Sequence, residues 1–172
     1  ACARFVRGQV LTARNPGDAE GLSLLTTARE AAIEERFTLA AAWLVDTHLA
    51  EEKIRTYDLD GAIELARVVL TNGFRSGGRI YIIRPTAVLV QALLRRGAPS
   101  DVYEAENAVE RLAEGLGDHG LLLGDVWLLR LRALLAEARG DIVTYQDYRD
   151  RYRKMVTDFS FGGHIRWAGE MR

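Results

Sequence analysis

Four aspartates constrain this chain more than any other feature. Asp18, Asp58, Asp101 and Asp141 open the similar segments GDAEGLSLL, YDLDGAIEL, PSDVYEAENAV and GDIVTYQDY, at spacings of 40, 43 and 40 residues. An aspartate at such a place suits a helix N-cap, because its carboxylate accepts the unpaired backbone N–H groups of the first turn. Four residues past each cap come Leu22, Ala62, Ala105 and Tyr145; seven past come Leu25, Leu65, Ala108 and Tyr148. Eleven past come Arg29, Val69, Leu112 and Tyr152. Three of the four segments are thus apolar at every offset, which is one helical stripe repeated.

A second helix precedes each cap. AAAWLVDTHLAEEKIRTY leads into Asp58, PTAVLVQALLRRGAP into Asp101 and LLLGDVWLLRLRALLAEARG into Asp141, while ACARFVRGQVLTARNPG leads into Asp18. Short turns, NPG, RGAPS and RGD, join the pairs. The expectation is an all-α chain, one domain over residues 1–172, made as a right-handed array of four antiparallel helical hairpins with a short last helix in HIRWAGEMR. No single hairpin buries its apolar face alone, so stacking supplies the core. Only three prolines interrupt 172 residues, in keeping with helix. The segment RSGGRIYIIRP reads as a loop entering a helix, with Pro85 in its first turn or kinking it.

YDLDGAIELARVVL resembles the second helix of a tetratricopeptide repeat, and ALLAEARGD, Ala133 to Asp141, resembles the end of the first. Ala62 stands at the family's helix-packing alanine, whereas Leu22 and Tyr145 replace it in two repeats. The repeats also exceed the family's usual length. The resemblance implies a tetratricopeptide-like solenoid whose concave groove is lined by the first helix of each hairpin. Counting back from the caps puts Arg4, Arg7, Arg14, Thr47, Glu51, Arg55, Trp127, Arg130 and Glu137 near that groove. Arg4, Arg7 and Arg14 share a face with Leu11. A mixed-charge groove suits a peptide or a partner domain. Trp43, Trp127 and Trp167 lie in apolar stripes and read as core.

Site chemistry is sparse. The histidines His48, His119 and His164 are far apart, and neither HExxH nor CxxC occurs, so no metal or other cofactor is expected. FRSGGRIY offers Arg75, Gly77, Gly78 and Arg79 as a weak phosphate cradle, against the plainer reading of a solvated turn. There is no GxSxG elbow, and Cys2 is the single cysteine. The pairs Glu34–Glu35 and Glu51–Glu52, beside Arg36, Lys53 and Arg55, read as solvated helix faces. With 23 basic and 24 acidic residues, the net charge of -1 gives polyanion binding no support.

DIVTYQDYRDRYRKMVTDFSFGGH, residues 141–164, interleaves tyrosines with arginines. On a helix from Asp141, Tyr145, Tyr148, Tyr152, Met155 and Phe159 form the inner stripe, and Arg149, Arg151, Arg153 and Lys154 face out among four aspartates. FSFGGH reads as the turn into the last helix, with Gly162 or Gly163 taking a positive φ. YRDRYRKMVTDFSFGGHIRWAGEM resembles the C-terminal part of large actinobacterial signalling proteins. Those join a class III adenylate or guanylate cyclase domain, an AAA-like ATPase and a tetratricopeptide-like region, some with a LuxR-like DNA-binding domain. Tyr152, Arg153, Met155, Phe161, Gly163, His164, Ala168 and Met171 match that pattern, and Phe159, Ser160 and Gly162 depart from it.

The resemblance implies a non-catalytic interaction or sensing module, with a protein, a peptide or neighbouring domains of its own chain as partner. It implies no direct nucleic-acid or membrane contact. The alternative is a small-molecule or nucleotide receptor using Arg75, Arg79 or the Arg4, Arg7, Arg14 face; an independent enzyme ranks last. A start at Ala rather than Met reads as an excised piece of a longer chain, and a lone cysteine without a bilayer-length apolar run reads as cytoplasmic.

Overall fold

The computed structural model describes residues 2–34, 39–77, 79–117 and 121–171. The secondary structure within them is helical throughout, so the all-α expectation holds. The chain divides into two compact units, Ala1–Arg96 and Gly97–Arg172. The boundary falls in the RGAPS turn, inside the third expected hairpin.

The first unit holds α1 (Cys2–Arg14), α2 (Ala19–Glu34), α3 (Leu39–Arg55), α4 (Leu59–Arg75), a 3-10 turn (Arg79–Ile82) and α5 (Ile83–Arg96). Each helix packs on the next, and α3 also touches α1 and α5. The stripe positions explain the packing. Leu25 on α2 is fully buried beside Ala28 and Val45, with Phe5 and Leu49 against them, and Ala62 and Val69 on α4 are buried too. Arg29 breaks the stripe, and its guanidinium is met by Asp46 of α3, itself nearly buried. Glycines set the closest approach. A Cβ on Gly8 of α1 would stand 2.9 Å from the Gly21 carbonyl of α2, so only two glycines allow these backbones to meet. Pro85 lies in the first turn of α5, where its missing N–H costs nothing.

The second unit holds α6 (Asp101–Leu116), α7 (Leu122–Ala138), α8 (Ile142–Asp158) and α9 (Gly162–Glu170). α7 packs on α6 and α8, and α9 folds back on α8. Its core joins Val126, Leu129, Ala133 and Ala136 of α7 to Tyr145, Tyr152 and Val156 of α8 and Ala168 of α9. The expected tyrosine stripe is therefore inward, except that Phe159 at its end is 56% exposed. Phe159 is the C-cap of α8, one position beyond the last helical residue.

Three of the four aspartates cap as expected. Asp18 accepts from the Gly21 N–H at 2.7 Å, Asp58 from Gly61 at 3.0 Å and Asp141 from Thr144 at 3.1 Å. Asp101 does not: it is the first residue of α6, buried, and its carboxylate turns back to accept from the Ala98 N–H at 2.8 Å. Ser100 takes the cap position instead, because the proline-bearing turn ends one residue early. Gly17, Gly97 and Gly140 take left-handed φ in the three turns. In FSFGGH the left-handed residue is Ser160 (φ 55°) rather than either glycine, since α9 already begins at Gly162. Among the described residues, no helix is long and apolar enough to cross a membrane.

Candidate functional site

A polar ladder crosses α1, α3 and α5 of the first unit. His48 and Glu51 stand three residues apart on α3 and so share a face. His48 Nδ1 lies 3.1 Å from Glu51, and Arg84 of α5 reaches the other Glu51 oxygen at 2.5 Å. On the other side, Gln9 of α1 hydrogen-bonds His48 Nε2, and the Phe5 ring meets the imidazole edge-on at 5.3 Å. The Gln9 amide nitrogen thus faces Nε2, while Nδ1 faces Glu51. Burial raises the Glu51 carboxyl, but the His48 hydrogen bond and the Arg84 charge outweigh it and hold the group below its usual range. Glu51 remains partly open to solvent, so the ladder presents a charged rung between three helices.

Below it sits a second polar knot. Glu52 is almost fully buried, accepts from the Gly17 N–H and pairs with Arg55 at 2.8 Å. Arg55 also donates to the Thr12 carbonyl at 3.4 Å. The Glu51–Glu52 pair is therefore no solvated face. Adjacent positions on a helix diverge by about 100°, and here Glu51 meets Arg84 of α5 while Glu52 meets the turn between α1 and α2. Glu34 is exposed, and Glu35 and Arg36 lie outside the described residues.

The remaining groove candidates scatter. Arg4 and Arg14 are exposed, and Arg7 turns to Glu20 of α2 at 2.5 Å. Thr47 is buried and donates to the Trp43 carbonyl at 2.7 Å. Glu137 is exposed near the end of α7. Arg75 is exposed at the end of α4, and Gly77 takes a left-handed φ just past it. Gly78 and the Arg79 side chain lie outside the described residues, and the turn they enter is a 3-10 segment of four residues.

In the second unit, Trp127 and Arg130 belong to an aromatic cluster under α9. Trp127 is 6% exposed and packs against His164 at 4.8 Å and Trp167 at 5.5 Å. The Arg130 guanidinium stands 5.6 Å from the Trp127 ring and 4.7 Å from that of Trp167. Its Nε and Nη1 are buried without a hydrogen-bond partner, so the indole faces meet the charge. Burial holds Arg130 below its ordinary value. The Tyr152 hydroxyl contacts His164 Nδ1 at 2.8 Å and donates to the His164 carbonyl at 3.2 Å. Burial, with Arg130 beside it, lowers His164 to about 4, and burial raises Tyr152 to about 12. Arg153 is not on the outer face. It reaches the carbonyls of Ala168 and Met171 and ties α9 down.

Sequence reasoning missed His48 and Arg84 as partners of Glu51, and Gln9 as the partner of His48. The spacing of His48 and Glu51 on one helix was the available signal; Gln9 and Arg84 join only through tertiary packing. Among the described residues, no group of three or more His, Cys, Asp or Glu side chains converges as metal ligands would. Comparison with family models, with curated proteins and with solved structures returns no significant match.

Proposed function

We propose that the chain is a non-catalytic interaction module of tetratricopeptide style, one that holds a peptide or a neighbouring domain of a multidomain signalling protein. The cyclase and ATPase resemblance of residues 148–171 supplies the kind of parent. The observation that carries the reading is the ladder Arg84–Glu51–His48–Gln9, which crosses α5, α3 and α1. In the tetratricopeptide reading those are the first helices of successive hairpins, where such a stack exposes its groove. The contacts of α3 with both α1 and α5 fit a superhelical array. A partner contacting the ladder differently in two states of the parent shifts the balance between them.

The test is binding of the 172-residue chain to the cyclase or ATPase domain of its parent, measured by calorimetry. Glu51→Arg reverses the central charge and is expected to weaken binding at least tenfold, while far-ultraviolet dichroism stays helical. No binding to any parent domain, together with unchanged parent activity on deleting the chain, refutes the proposal.

A further inference from the structure

In the second unit, α6, α7 and α8 line a half-open cleft of about 420 Å³ that the interaction reading does not use. That size falls within the range of small-ligand sites, about 300–1,000 Å³. Its floor is apolar, made by the buried Val109, Leu135 and Ala136. Most of its charges are already answered by the protein. Glu106 of α6 pairs with Arg139 at the end of α7, and Asp141 accepts from the Thr144 N–H. Two are not: Glu110 of α6 and Arg132 of α7 line the same cleft, and neither has an ion-pair or hydrogen-bond partner among the described residues.

An unpaired cation and an unpaired anion on neighbouring helices, over an apolar floor, complement a molecule that carries both charges. A guanidinium favours a carboxylate, which it grips through two parallel N–H donors. A carboxylate favours an ammonium group, and the floor takes an aliphatic or aromatic side chain. Thr144 and Tyr148 also line the cleft and bring hydroxyl groups able to hydrogen-bond an amide or a carboxylate. We propose that this cleft binds a small zwitterion with an apolar side chain, an α-amino acid or a dipeptide, with its carboxylate on Arg132 and its ammonium on Glu110.

The experiment is calorimetric titration of the 172-residue chain with leucine, phenylalanine and leucyl-leucine. N-acetyl-leucine, leucinamide and N-acetyl-leucinamide serve as probes lacking one or both charges. At least one zwitterion is expected to bind with a Kd of about 0.1 mM or tighter, and removal of either charge weakens binding tenfold or more. Leucine and leucyl-leucine distinguish the free amino acid from the dipeptide. Arg132→Gln and Glu110→Gln each weaken binding tenfold, whereas Arg132→Lys retains part of it. Arg166→Gln, exposed on α9 and outside the cleft lining, keeps binding within threefold. Absence of binding by every zwitterion at 10 mM (about 100 times a Kd of 0.1 mM), equal binding of the uncharged probe, or wild-type affinity in both Gln variants overturns the proposal. None of these outcomes touches the Glu51 ladder, which lies in the other unit.

Discussion

Acidification is expected to loosen the second unit through His164. The imidazole is 8% exposed among Trp127, Trp167, Phe161 and Tyr152, and burial beside Arg130 lowers it from 6.5 to about 4. The unfolded chain therefore takes up this proton first. The stability that follows from a neutral His164 is complete above the unfolded value and is lost as pH falls toward the folded one. In that window the slope approaches about 1.4 kcal/mol per pH unit. With the two values in hand, the loss is about 2 kcal/mol by pH 5 and about 3 kcal/mol by pH 4. Tyr152, raised by burial, stays neutral throughout. The carboxylates of Asp141 and Asp150, held low by their hydrogen bonds to Thr144 and Arg149, release their share only at the acid end of the range. Urea unfolding at pH 7, 6 and 5 measures the slope, and imidazole NMR gives the folded-state titration directly. His164→Gln, which still hydrogen-bonds Tyr152 but does not titrate, is expected to be less stable at pH 7 and to lose the slope. A loss below about 0.5 kcal/mol between pH 7 and pH 5, or an equal slope in the variant, refutes the reasoning.

Arg29→Ala leaves the buried Asp46 carboxylate without its partner. It is expected to cost about 2 kcal/mol, below the range for a fully buried pair because the guanidinium is 39% exposed. The double variant Arg29→Leu with Asp46→Leu restores the apolar stripe and should return to within about 1 kcal/mol of wild type in urea unfolding; a double variant as weak as the sum of the singles contradicts this. Gly8→Ala forces a methyl against the Gly21 carbonyl and Leu25, and thermal unfolding should show a loss of about 2 kcal/mol despite the better helix propensity. Gly169→Ala meets open space and should gain about 0.5 kcal/mol instead. Asp58→Ala removes the acceptor for the Gly61 N–H and should cost about 1 kcal/mol, most of it recovered in Asp58→Asn.

The sequence alone determined the helices and their inward faces. Caps and apolar spacing are local properties, so Asp18, Asp58 and Asp141 were legible, as were the buried Leu25, Ala62, Leu112 and Tyr152. Asp101 was misplaced by one residue because the turn before it ends early, and Ser160 rather than a glycine takes the left-handed position because α9 starts at Gly162. Of the groove candidates, Glu51 sits on the ladder, while Trp127 and Thr47 are buried and Arg7 turns away to α2. Tertiary structure decided which charges meet. Glu51 finds Arg84 across 33 positions and Arg29 finds Asp46 across 17, and the α9 return brings His164 onto Tyr152. Helical periodicity fixes the direction in which a side chain leaves its own helix. The group waiting there is set by how neighbouring helices pack, and the same packing leaves Glu110 and Arg132 unmatched on one cleft.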